Sequence, residues 1–139
     1  MKNILFVCTG NTCRSPMAEG IYNHLSSGAS SRGLSAEGGI ASEKAIVIME
    51  KMGIDISKHE SKQLTLDDVK NADFIFTMTI GHKNVILSAC PEAEDKVFTL
   101  GEYAGGEDVA DPYGGSEAVY EKCARQLYEY IERIIEKLK

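Results

Sequence analysis

No stretch of this sequence approaches the roughly 18 consecutive apolar residues of a membrane span, so no spanning helix is expected. Positive charge is also short: 15 lysines and arginines against 21 acidic residues leave a net charge of −6. That balance argues against general affinity for nucleic acid or an anionic bilayer, although it leaves room for a local basic pocket. The four cysteines, at positions 8, 13, 90 and 123, contain no C-x-x-C pair. Neither a zinc site nor the disulfide framework of a secreted domain is indicated, and reduced thiols in the cytoplasm are the expectation. His24, His59 and His82 are too widely spaced to form a ligand pattern and are expected at the surface or at helix ends. No metal and no cofactor is expected. Repeats, low-complexity tracts and linkers are missing, so residues 1–139 are expected to form one domain.

What is present is the composition of an ordinary globular protein, 43% apolar and 26% charged. The N-terminal MKNILFVCTG resembles a weak signal peptide, but its apolar stretch is too short and no small-residue cleavage site follows. Asn3–Cys8 reads better as a strand buried on both faces. Ser15-Pro16 opens a helix, serine as N-cap and proline in the first turn, with Met17, Ile21, Tyr22 and Leu25 on one face. A second helix is predicted over Glu43–Met52 and closed by Gly53. Asp73–Met78 and Lys96–Leu100 read as further strands, with a helix over Gly81–Ser88 between them. Ser116–Leu138 is the clearest helix: Val119 or Tyr120, Cys123, Leu127, Ile131, Ile134 and Leu138 recur every three or four residues. Strands alternating with helices imply an α/β fold, a parallel sheet covered on both faces. Ligands of such sheets sit beyond the C-terminal strand ends, where Cys8–Arg14 leaves the first strand.

Six positions separate Cys8 from Arg14 in Cys8-Thr-Gly-Asn-Thr-Cys-Arg14-Ser-Pro. The spacing alone is weak, but its setting between a buried strand and a helix is not. Gly10 and Asn11 suit the positive φ of a tight turn. Such a loop aims successive N–H groups inward as an anion nest, backed by the helix N-terminus. Thr9, Gly10, Asn11, Thr12, Cys13, Arg14 and Ser15 are therefore candidate phosphate-binding residues, and Cys8 is the candidate nucleophile. Attack requires a thiolate, and reactive cysteines titrate near 3.5–7.5 only in electropositive sites. A helix terminus supplies at most about 2 kcal/mol, so loop amides, Arg14 and the Ser15 hydroxyl must converge on the sulfur. Arg14 also offers a planar fork matched to two phosphoryl oxygens. In Asp111-Pro-Tyr-Gly-Gly-Ser116, proline stiffens a turn and glycines let it bend. Asp111 is either a turn former or a carboxylic acid able to protonate a leaving atom and then activate water.

CTGNTCRSP at 8–16 together with DPYGGS at 111–116 resembles the two signatures of the low-molecular-weight protein tyrosine phosphatase family, over essentially the whole chain. The resemblance implies a four-stranded parallel sheet in order 2-1-3-4. It implies Cys8 as nucleophile, Arg14 as phosphoryl binder, Asp111 as general acid, and Asn11 and Ser15 as supports of the loop. Cys13 matches the family's second loop cysteine, which can form a reversible disulfide with the nucleophile and shield it from overoxidation. The substrates implied are phosphorylated proteins, and a monomer is favoured.

Thr12 stands where tyrosine phosphatases of this family carry an aliphatic residue, and Gly114 where they tend to have a second aromatic. That combination resembles the bacterial protein arginine phosphatase branch. A hydroxyl at Thr12 can hydrogen-bond a guanidinium, where an aliphatic residue would pack on a phenyl ring, so phosphoarginine is favoured over phosphotyrosine. Tyr113 is expected to wall the cleft. Arsenate reduction on the same scaffold needs relay cysteines a few residues apart in mid-chain, and Cys90 stands alone there, with Cys123 far along the last helix. Both are expected to be packing residues. A noncatalytic phosphoprotein-binding module would lose the nucleophile or the acid, and both are present.

Overall fold

A computed structural model describes residues 2–139. Its centre is β1, Ile4–Cys8, a five-residue strand buried at every position. It pairs in parallel with β2, Ala29–Gly33, on one side and β3, Phe74–Thr77, on the other; β3 then pairs in parallel with β4, Val97–Thr99. The order is β2-β1-β3-β4, four parallel strands, as the family resemblance implies.

Alternation along β1 divides the core. Ile4, Phe6 and Cys8 face one layer, shared with α1 (Arg14–Leu25), α2 (Glu43–Lys51) and α6 (Glu117–Lys137). Leu5 and Val7 face the other, with Ile75, Val97, and residues of α3 (Leu66–Asn71) and α4 (Ile80–Ala89). A continuous apolar run is what a strand covered on both sides requires. In α6, Tyr120, Cys123, Leu127, Ile131 and Ile134 are buried while Val119 is exposed, so the inner stripe runs through Tyr120.

The sequence reading and the structure differ at several ends, each for a local reason. α1 begins at Arg14, with Cys13 at the capping position and no side-chain cap. Ser15 is not the N-cap, because its hydroxyl serves the preceding loop. Leu25 is exposed at the end of α1 rather than buried with Met17 and Ile21. Leu100 ends no strand; it starts α5, Leu100–Ala104, behind a Thr99–Glu102 capping box. β2 and α3 have no counterpart in the apolar pattern. β2 reads Ala-Ser-Ser-Arg-Gly and lies at the sheet edge, where only Ser31 and Gly33 are buried.

Candidate active site

β1 delivers Cys8 to the C-terminal edge of the sheet, and the chain must then turn through five residues to enter α1 at Arg14. Asn11 makes the turn with φ 57°; Gly10, also expected to do so, stays outside the positive-φ region. The carbonyls of the loop are held from outside, one after another. Cys8 O accepts Leu34 N, Thr9 O accepts Ser35 N, Thr12 O accepts Ser42 N and Cys13 O accepts Met17 N, all at 2.8–3.2 Å. Gly10 O accepts the Ser61 hydroxyl and Asn11 O binds His59 Nε2, both at 2.8 Å. With the carbonyls turned outward, the amides of residues 10–15 find no acceptor among the described residues. That is the geometry of an anion nest.

The polarity around Cys8 follows from one side-chain amide. Asn11 Oδ1 accepts the Lys62 backbone N–H, so the Nδ2 end must donate, to Ser15 Oγ at 2.8 Å and Ser31 Oγ at 3.0 Å. Ser31 sends its own proton to Glu19 Oε1 at 2.7 Å. Ser15 Oγ lies 2.9 Å from Cys8 Sγ and its proton has no other acceptor, so it points at the sulfur. A hydrogen bond of this sense strengthens when the sulfur is ionised.

Arg14 is buried, its Nη1 donating to Val109 O at 2.9 Å and its Nη2 facing Asp111 Oδ2 at 3.8 Å. Val109 N is tied to Met78 O, which anchors the acid loop to the end of β3. Asp111 is 53% exposed in its side chain, at the mouth rather than the floor, and its Oδ1 accepts Tyr113 N. Gly114 has φ 81°, which explains glycine where the family favours an aromatic: an L side chain there would be strained. Cys8, Thr9, Gly10, Thr12, Cys13 and Arg14 line one cleft of about 210 Å³ with Asp111 and Tyr113 at its rim; Tyr113 is 78% exposed. The buried Asn11 and Ser15 lie behind this wall. A larger hollow, about 360 Å³, opens at the opposite end of the sheet, where its charged groups Arg32 and Asp68 pair with each other.

Cys13, which also lines the cleft, has its Sγ 3.5 Å from Ser42 Oγ and 3.4 Å from Tyr120 OH. Burial, then the contact with Cys13, pushes the Tyr120 hydroxyl up to about 12. Burial likewise pushes the Cys123 thiol up to about 12, and Cys90 is raised by its hydrogen bond to Glu92. Both remain thiols at neutral pH. No cluster of metal-ligating side chains occurs among the described residues.

Sequence reasoning misses two histidines. His59 holds the carbonyl of Asn11, and His82, at a helix end as expected, is buried there, 8% exposed, with Nε2 2.9 Å from Thr9 Oγ1. The signal for His82 is topological: it lies in the first turn of the helix leaving β3, the strand next to β1, and so falls at the same sheet edge as the loop.

A family model described as low molecular weight phosphotyrosine protein phosphatase matches residues 3–139. The protein-arginine-phosphatase of Geobacillus stearothermophilus is 42% identical over 141 residues, covering 97% of this chain and 95% of that protein. The crystal structure of the low molecular weight protein tyrosine phosphatase from T. tengcongensis superposes with a TM-score of 0.93 at 46% identity, covering 99% of both chains. A cysteine-to-serine mutant of YwlE arginine phosphatase, its active-site serine phosphorylated, superposes with a TM-score of 0.93 at 36% identity, covering 98% of this chain and 95% of that one.

Proposed function

The chain belongs to the low molecular weight phosphotyrosine protein phosphatase family and is a hydrolase of that family, and from that premise we propose that it dephosphorylates arginine side chains in proteins through a phosphocysteine formed on Cys8. The carrying observation is the convergence in one cleft of a cysteine that accepts a hydrogen bond from the Ser15 hydroxyl, inward amides, a buried arginine and an acid at the mouth.

The amides of the loop and Arg14 bind the three phosphoryl oxygens and neutralise their charge as it redistributes. The Cys8 thiolate attacks phosphorus opposite the guanidino nitrogen, and the P–N bond breaks as Asp111 gives that nitrogen its proton. Asp111, now a carboxylate, takes a proton from water; the water oxygen attacks the phosphocysteine, the P–S bond breaks, and orthophosphate leaves with the thiolate restored. The phosphorylated serine in the YwlE relative supports a covalent step at the equivalent position. Cys8→Ser is expected to abolish turnover while retaining orthophosphate binding, measured by steady-state kinetics and calorimetry; turnover near the unmodified rate overturns the assignment.

Thr12 and the rim Tyr113 are the specificity residues of this reading. The Thr12 hydroxyl supplies a polar partner for a guanidinium, and the arginine phosphatase relative supports that preference. Phosphotyrosine is the second reading, supported by the tyrosine phosphatase relative. Thr12→Ile is expected to move selectivity toward phosphotyrosine when phosphoarginine and phosphotyrosine peptides are compared; an unmoved ratio refutes the role of Thr12. Arsenate reduction lacks support: Cys90 packs with Leu5 and Val97 under the other face of the sheet.

A cytoplasmic setting fits four free cysteines and the lack, among described residues, of a helix long and apolar enough to cross a membrane. Cys13 is the proposed partner for Cys8 under peroxide: the Cys8 thiolate is oxidised to a sulfenic acid, the Cys13 thiol attacks it, and water leaves as the disulfide forms.

A further inference from the structure

His82 takes no part in the chemistry described above, yet its ring is one of the few polar groups buried beside the cleft. Its Nε2 meets Thr9 Oγ1 at 2.9 Å, and its Nδ1 is buried with no partner among the described residues. Burial first, and the Arg14 charge second, lower its pKa to about 4, so at neutral pH the ring carries a single proton. Two tautomers are open. With the proton on Nδ1, a buried N–H is left without an acceptor, the rarer and costlier kind of orphan. With the proton on Nε2, the bare nitrogen is a lone pair in the field of a neighbouring guanidinium. The second arrangement wins on both counts.

If Nε2–H donates to Thr9 Oγ1, the hydroxyl proton of Thr9 cannot point back at the ring. Thr9 is exposed and lines the cleft next to Cys8. We propose that His82 is a positioning residue for phosphoryl transfer: it fixes the Thr9 hydroxyl as a donor turned into the cleft, where Thr9 binds a phosphoryl oxygen beside the loop amides. The inference rests on the phosphatase reading and adds a side-chain donor to it.

The test is a double-mutant cycle on the full chain, read by single-turnover phosphate transfer from a phosphoarginine peptide and from p-nitrophenyl phosphate. Thr9→Val is expected to lower the transfer rate by about tenfold to a hundredfold, as for loss of one hydrogen bond to a charged group. His82→Leu should cost as much, and the double variant no more than either single one, because both remove the same donor. His82→Gln, which returns an N–H near the place of Nε2, should restore the rate to within about threefold. A merely structural histidine would instead lower the melting temperature without this pattern. Thr9→Val at the unmodified rate, losses that multiply in the double variant, or no rescue by His82→Gln overturns the proposal. Should His82→Leu fail to fold, His82→Met, which also lacks a donor while filling the site, takes its place in the cycle with the same losses expected. An unmodified chain that never transfers phosphate to Cys8 overturns the phosphatase reading itself, a result separate from these.

Discussion

Asp111 sits at the mouth of the cleft with one oxygen on the Tyr113 amide and the other toward Arg14. That placement suits the proposed transfer of a proton to the leaving atom and then from the incoming water, whereas Arg14 lies buried with its Nη1 donating to Val109 O. Asp111→Asn is expected to slow turnover by about a hundredfold or more on a poor leaving group, and the pH–rate profile should lose one limb; an unchanged profile removes Asp111 from the mechanism. At this scale the motifs were informative, because Cys8, Arg14 and Asp111 each stand in a run of residues with a chemical reason for its spacing. His59 and His82 carry no such run. Their roles come from bonds across 48 and 73 positions, to Asn11 and Thr9, which no local pattern encodes.

Among the elements, β2 shows why an edge strand can escape a hydrophobic reading and still matter to the site. Its residues are each small or polar, yet its last one, Gly33, pairs with Cys8 and lies against the loop. A Cβ there would stand 2.7 Å from Thr9 O and 3.0 Å from Asn11 N, both backbone atoms of the nest. Gly33→Ala is expected to displace the loop, lowering kcat/KM by about tenfold and stability by roughly 1–3 kcal/mol; phosphate affinity and urea midpoints measure the two together, and an unaffected affinity would show that the loop tolerates the intrusion. Strands β1, β3 and β4 were legible from their apolar runs, and α6 from its period. α3 escaped the reading, since its single buried residue, Val69, makes no stripe, and its start is marked only by the Thr65–Asp68 capping box seen in the structure.

For the whole molecule, His82 links the cleft to acid stability. Its folded-state pKa, about 4, lies below the usual 6.5, so between these values the unfolded chain takes up a proton that the folded chain refuses. The stability it contributes is complete above about pH 6.5 and is lost as pH falls through about 4, by at most about 3 kcal/mol. Urea unfolding of the unmodified protein and of His82→Gln should therefore converge as pH is lowered from 7 to 4; parallel curves would place the histidine in water. The six outward carbonyls of the loop have a different consequence. Tied to three other stretches of chain, at residues 34–35, 42 and 59–61, and to the first turn of α1, they fix the cradle before anything enters it. A receptacle shaped in advance for the proposed phosphoryl group would grip the released product by the same contacts as the reactant, so orthophosphate is expected to inhibit competitively in initial-rate assays, and turnover should slow as the phosphate content of the surrounding fluid rises.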